Sequence, residues 1–149
     1  MNVFLLIWDL KKLPRKLVVL GGGPIGSEMA QAFSRLGSEV TIVEMSSQIM
    51  SREDNDVIEL VKERFKKEGI KVLVNYKAIR FKTNKLICDH KGKEKVIEFD
   101  QILLALGRSP NINGFGLSEL GVKIRNNGTI QANQFLQTNI SNIFIRFVC

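Results

Sequence analysis

The sequence predicts a three-layer α/β fold built on a parallel β-sheet, with an antiparallel β-meander following it. Two observations lead there. An apolar, β-branched run, "KLVVL", breaks at a glycine cluster and gives way to helical spacing, and that strand–helix alternation then repeats. Beyond residue 76 the helical period stops, and short strands follow one another across turn-forming breaks.

The elements follow in order. "KLVVL" (Lys16 to Leu20) reads as a buried strand. From Pro24, the residues Ile25, Met29, Phe33 and Leu36 recur at helical spacing, and Gly37 is a natural stop. "EVTIVE" (Glu39 to Glu44) is a second strand. Ser51 then offers a helix cap, with Asp54 completing a weak capping box and Asp54 and Asp56 favoured by the dipole of the first turn. Val57, Val61 and Phe65 form the expected buried stripe, and Gly69 ends the helix. "IKVLV" (Ile70 to Val74) is a third strand. Strands joined by helical crossovers imply parallel pairing with right-handed connections. "AIRF", "KLICD" and "KVIEF", broken by "TN" and "HKGK", form the meander. "DQILLALG" (Asp100 to Gly107) returns to the main sheet, and after Pro110 the chain is rich in loop signals such as "NING" and "NNG".

The totals bound the class. At 149 residues, 44% apolar and 25% charged, the chain suits one globular domain with a real core. Twelve Lys or Arg face only four acids between Lys62 and Lys95, enough to account for the whole net charge of +7. A basic surface can attract nucleic acid, but these lysines alternate with apolar residues and carry few aromatics among them. They read as a solvated face, and no nucleic-acid partner is expected. The run "VFLLIW" near the start is far short of the roughly 20 residues a membrane helix needs, and it lacks the flanks of a signal peptide. No membrane association and a cytoplasmic location are expected, in keeping with only two cysteines, Cys88 and Cys149, in no CxxC pair.

The glycines carry the chemistry. Gly21-x-Gly23-x-x-Gly26 directly follows a strand and opens a helix. In such a turn the first glycine permits the tight bend, the second lets backbone approach a pyrophosphate, and the third lets helix and strand pack closely. Pro24 suits a first-turn position whose N–H has no intrahelical partner. The free N–H groups and the helix dipole then favour phosphate. Glu44 ends the next strand, where a carboxylate can accept hydrogen bonds from ribose hydroxyls and repel a 2′-phosphate. Glycine turns also occur without ligands. With the acid in place, a dinucleotide site is the expectation, NAD(H) over NADP(H). FAD is also read by such an acid, so the fingerprint alone leaves it open.

The stretch "LKKLPRKLVVLGGGPIGSEMAQAFSRLGSEVTIVE" resembles the NAD(H) domain of the class I pyridine nucleotide–disulfide oxidoreductases. That family includes dihydrolipoyl dehydrogenase, glutathione reductase and mercuric reductase. "LLALGRSPN" (Leu103 to Asn111) is similar to the family's A-T-G-R-x-P-N signature. The resemblance covers about Leu10 to Phe144 and implies a Rossmann-like domain that delivers hydride from NADH to a flavin held by a neighbouring FAD domain. It implies that Gly21, Gly23 and Gly26, with Pro24 and Ile25 in the first helical turn, line the pyrophosphate. It places Glu28, from the GxGxxGxE pattern, near the nicotinamide end and Glu44 on the adenosine ribose. The Ala78 backbone would approach the adenine, and Ala105 to Gly107 would border the cofactor. NADP-using members carry basic residues where this chain has Met45 and Ser51, which supports NADH, although Arg52 lies close by. A gating tyrosine of some members is replaced by Pro24.

The family's FAD fingerprint, its redox CxxxxC and its dimerisation domain have no counterpart in these residues, and "IFIRFVC" replaces the expected I-F-A-x-G-D. The expectation is therefore a connector at residues 1–15, an NAD(H)-binding domain at 16–110, and a truncated segment at 111–149 that in the family returns to the FAD domain. FAD itself is not expected to be bound by this chain. Apolar residues such as Phe115, Leu120, Phe135 and Phe144 would lack a burial surface, leaving a loose tail that invites a separate FAD-domain chain or self-association. The alternatives are a non-catalytic NADH-binding module and an inert product of a disrupted gene. No catalytic or metal residue is expected: Cys88 reads as a packed thiol, and His90 as a surface residue at a hairpin tip.

Overall fold

A computed structural model of the chain describes residues 10–146. The run "VFLLIW", Phe147, Val148 and Cys149 lie outside the described residues. The chain divides into two units, Met1–Gly107 and Arg108–Cys149.

In the first unit, β1 (Lys16–Leu20) leads through the glycine cluster into α1 (Pro24–Arg35). β2 (Glu39–Val43), α2 (Asn55–Lys67) and β3 (Lys71–Leu73) follow. β4 (Lys77–Lys82), β5 (Lys85–His90) and β6 (Lys93–Glu98) make the meander, and β7 (Gln101–Leu104) closes the unit. The main sheet is parallel throughout, in the order β3-β2-β1-β7. The second sheet is antiparallel, β4-β5-β6.

Strand alternation makes the three layers. Successive side chains of a strand point to opposite faces. Leu17 and Val19 of β1, with Val40 and Ile42 of β2, pack with Ala30 of α1 and Phe65 of α2. Val18, Leu20 and Val43 point the other way and pack with Leu86 and Cys88 of β5. The parallel sheet is thus covered on one face by helices and on the other by the meander, and its central strands are apolar on both sides. The meander turns at Thr83–Asn84 and at Lys91–Gly92, each pair with positive φ. Such two-residue turns match the twist of antiparallel strands.

Two local expectations shift. The second helix begins at Asn55 with Asp54 as its N-cap, so Ser51 is no cap, and Asp54 makes no side-chain capping hydrogen bond. Phe65 is buried and Val61 half-buried as expected, but Val57 is exposed and Ile58 takes its place in the interior, so only the first turn of the stripe differs. In α1 the most deeply buried positions are the small residues Gly26, Ser27 and Ala30, whereas Leu36 is exposed. Small side chains there bring the helix close to β1, so larger neighbours on the same face reach only the margin. At its far end, Arg35 Nη2 lies 2.7 Å from Glu68 Oε1 and Gln31 donates to Oε2 of the same carboxylate at 3.0 Å, joining α1 to the end of α2.

The second unit has no long element among its described residues. Two short turns hold it, marked by the bridges Ile124 with Ile130 and Gln137 with Phe144. Asn139 ties them together, accepting from the Lys123 amide at 2.8 Å and donating to the Gly121 carbonyl at 2.9 Å. Val122 and Thr138 are buried, while Phe115, Leu120, Phe135 and Phe144 are each more than half exposed.

Candidate functional site

The site is assembled where the parallel strands β1, β2 and β7 end. Gly21 extends the strand ladder by donating its amide to the Val43 carbonyl at 2.9 Å. It then turns the chain at φ +109°, a conformation that L side chains rarely adopt. Its Cα faces the Ala105 carbonyl so closely that a side chain would collide with it. The chain after β7 is anchored here, since the Ala105 amide donates to the Leu20 carbonyl at 2.7 Å.

Gly26 lies against the Gly21 carbonyl, again with no room for a Cβ, and the Ala105 methyl would be 3.3 Å from one. This contact lets α1 pass directly over the end of β1. Gly23 differs from both. It is the N-cap of α1, with extended backbone, and a Cβ there would meet nothing within 4 Å. Open space at a helix N-terminus, with Pro24 at the first helical position and no acidic side chain in the first turn, is what an anionic group requires. The half-buried Ile25 completes that turn.

Glu44 stands one residue past β2. Its Oε2 accepts from the Gly22 amide at 2.7 Å, and its Oε1 accepts from the Ser46 amide at 2.7 Å. Partial burial works to raise its pKa, but the backbone donors of Ser46 and Gly22 outweigh that and hold it below the usual carboxylate value. The group is a fixed anion at neutral pH, and a carboxylate has lone pairs left for further donors.

The remaining expected residues are spread more widely. Ala105 and Gly107 (φ +105°) follow β7, the first against Gly26 and the second exposed. Ala78 sits on β4, its side chain in the core between the sheets. It is two residues beyond Tyr76, whose amide donates to the Glu44 carbonyl at 3.0 Å. Glu28 is exposed on α1 and lines a cleft of about 280 Å³ between α1 and α2, with Pro24, Met50, Leu60 and Arg64. Gly21, Gly26 and Ala105 are therefore in direct contact, Glu44 joins the turn through the Gly22 amide and Gly23 opens the helix that follows, whereas Glu28 and Ala78 lie farther along α1 and β4.

Three participants escaped the sequence reading: Gly22, Ile49 and Met50. The Met50 amide donates to the Gly22 carbonyl at 2.7 Å, and the fully buried Ile49 side chain packs onto Gly22. The middle one of the three consecutive glycines was the available signal, because GxGxxG leaves that position unspecified. Cys88 is buried and its thiol pKa is pushed up by that burial, in keeping with a packed residue. His90 is half-buried, stacked on Tyr76 with ring centroids 4.2 Å apart, and so is less exposed than a hairpin tip suggests. Among the described residues no cluster of His, Cys, Asp or Glu could hold a metal ion, and no helix is long and apolar enough to cross a membrane.

Residues 6–145 match the pyridine nucleotide-disulphide oxidoreductase family. The chain belongs to that family. It is 39% identical over 140 residues to a dihydrolipoyl dehydrogenase of Staphylococcus aureus, covering 91% of this chain and 30% of the relative. A mercuric reductase of the same organism is 34% identical, covering 91% of this chain and 26% of the relative. Among solved structures, an HOCl-induced flavoprotein disulfide reductase from Escherichia coli superposes with a TM-score of 0.79 at 29% identity, over 93% of this chain and 32% of that one. LpdA from Mycobacterium tuberculosis gives 0.80 at 26% identity, over 93% and 30%. The chain thus spans about a third of the length of the proteins it matches, and its Rossmann-like fold is shared with flavoprotein oxidoreductases.

Proposed function

We propose that this chain is the NAD(H)-binding portion of a flavoprotein disulfide oxidoreductase. The observation that carries the reading is the pairing of an open helix N-terminus at Gly23 with the Glu44 carboxylate, fixed through the Gly22 amide at 2.7 Å. The main-chain amides of the α1 turn would hold the pyrophosphate, with Gly21 and Gly26 shaping the backbone and Gly23 leaving the approach clear. Glu44 would accept the ribose hydroxyls. Its fixed negative charge, with the exposed and uncharged Met45 and Ser51 nearby, favours NADH over NADPH. Ala78 would border the adenine, and Ala105, Gly107 and Glu28 the rest of the cofactor.

Bound NADH supplies a hydride, and FAD is its acceptor in this reading. The residues that bind the dinucleotide belong to this chain, and the flavin would be held by a separate FAD-bearing domain. Phe115, Phe135 and Phe144, each more than half exposed, would be available to such a domain.

Titration of the full chain with NADH and NADPH, followed by quenching of protein fluorescence and enhancement of nicotinamide fluorescence, tests the proposal. Saturable NADH binding with weaker NADPH binding is expected. No saturation with either, in folded protein, overturns it. Co-purification with an FAD-bearing domain, against concentration-dependent self-association in sedimentation, separates the two kinds of partner.

A further inference from the structure

We infer that Gly22 is a positioning residue: its lack of a side chain lets Ile49 seat the β2–α2 loop against the glycine turn, and this seating sets the pose of the ribose-recognising acid. The inference deepens the dinucleotide reading and rests on it for the ligand, though not for the geometry.

Gly22 is enclosed differently from its neighbours. Unlike at Gly21, its backbone lies outside the left-handed region, so another residue could adopt it. The constraint is space. A Cβ at Gly22 would lie 2.6 Å from Ile49 Cγ2, 3.2 Å from Ile49 Cβ and 3.3 Å from Glu44 Cβ. Ile49 is fully buried and belongs to the core between helices and sheet, so it cannot swing aside freely. Both polar groups of the Gly22 backbone are also engaged by this loop and its acid. Its carbonyl receives the Met50 amide at 2.7 Å, and its amide reaches Glu44 Oε2 at 2.7 Å.

Met50 adopts φ +51°, uncommon for a residue with a side chain, and its carbonyl accepts the Glu53 amide at 2.9 Å. The loop is therefore turned back onto Gly22 against its local preference, held by the bond to Gly22 and by burial of Ile49. The Ser46 amide, which fixes the other carboxylate oxygen, lies at the start of the same loop. Crowding at Gly22 would push Ile49 outward, and the Met50 bond and the Glu44 pose would go with it. The ribose end of the site would then loosen while the helix N-terminus at Gly23 stayed formed.

A double-mutant cycle decides the matter. Gly22→Ala, Ile49→Leu (which drops the branched Cγ2 but keeps the apolar bulk that seats the loop) and the combined variant are compared with the wild-type chain by hydrogen exchange at the Ser46 and Met50 amides and by affinity for NADH and NADPH. Gly22→Ala should exchange those two amides faster and weaken NADH binding about tenfold or more, with less loss for NADPH, whose ribose end Glu44 disfavours. Removing Cγ2 in the combined variant should restore slow exchange and most of the NADH preference. If Gly22→Ala alone fails to fold, folding of the combined variant carries the same conclusion. A combined variant as defective as Gly22→Ala, or a Gly22→Ala chain with wild-type exchange, overturns the inference. Wild-type protein that binds neither dinucleotide sinks the ligand assignment, and the exchange cycle still decides whether Gly22 seats the loop.

Discussion

The Gly22 amide and the Glu44 carboxylate, 22 residues apart in sequence, meet across 2.7 Å. The turn that would hold phosphates and the acid that would hold a sugar are thus one rigid assembly, completed by the Ser46 amide on the other carboxylate oxygen.

Replacing Glu44 by Ala should weaken NADH binding by about 1.5–3 kcal/mol, the range for hydrogen bonds to a charged group. Isothermal calorimetry reads this directly. Affinity equal to wild type would remove Glu44 from the site.

The acid response has a defined sign. The folded pKa of Glu44 lies below the ordinary carboxylate value, so its contribution to stability is complete above that ordinary value and is lost as pH falls through the folded pKa. Glu68 and Glu94 shift the same way beside Arg35 and Arg80, so the wild type must be compared with Glu44→Gln. Chemical denaturation of both proteins across the acid range should show a stability difference that is flat near neutrality and changes only below the ordinary carboxylate value. A difference independent of pH throughout would show that the carboxylate's charge does not matter to the fold.

Gly23 and Gly26 should separate binding from folding. At Gly26 a methyl group has no room beside the Gly21 carbonyl, and Gly26→Ala should cost about 2–4 kcal/mol of stability, in the range of overpacking with backbone displacement. At Gly23 a methyl meets nothing, so Gly23→Ala should leave the melting temperature within about 2 °C while weakening dinucleotide binding. Thermal melts paired with NADH titrations test both; equal behaviour of the two variants would refute the division of roles.

Leu86 is fully buried where the meander meets the parallel sheet. Leu86→Ala should destabilise the chain by about 2–5 kcal/mol, measured by urea unfolding, as for other large-to-small core changes. A cost under about 1 kcal/mol would mean that the two sheets do not share a dry core.

Cys88 is fully buried and its thiol titrates above the usual value. In a Cys149→Ser background it should resist a maleimide reagent in the folded chain and react promptly in urea. Rapid labelling without denaturant would place the thiol at the surface.

The order of strands and helices, the meander and the return of β7 were all legible, because each rests on local periodicity and turn residues. The backbone geometry of two glycines was legible for the same reason: the spacing implies the tight bend at Gly21 and the close helix–strand contact at Gly26. What stayed hidden was tertiary. Val57 and Ile58 are equally apolar, and only the packing of α2 on the sheet selects Ile58 for the interior. Ser51 and Asp54 are both competent caps, and the loop held by Met50 places the helix start at the later one. Ile49 carries no motif at all, and its contact with Gly22 links two loops that periodicity cannot join. The stacking of His90 on Tyr76 likewise depends on how β5 lies over the segment leading into β4.

The last strand of the parallel sheet, β7, pairs with the first, and the Lys16 amide donates to Asp100 across 84 positions of chain. During synthesis β1 therefore emerges with one edge unsatisfied until residue 104 has left the ribosome. Closing so long a loop is entropically slow, and an unpaired apolar edge invites association with other chains. Recovery of soluble protein should thus depend on elongation rate and chaperone supply more than the finished fold would suggest.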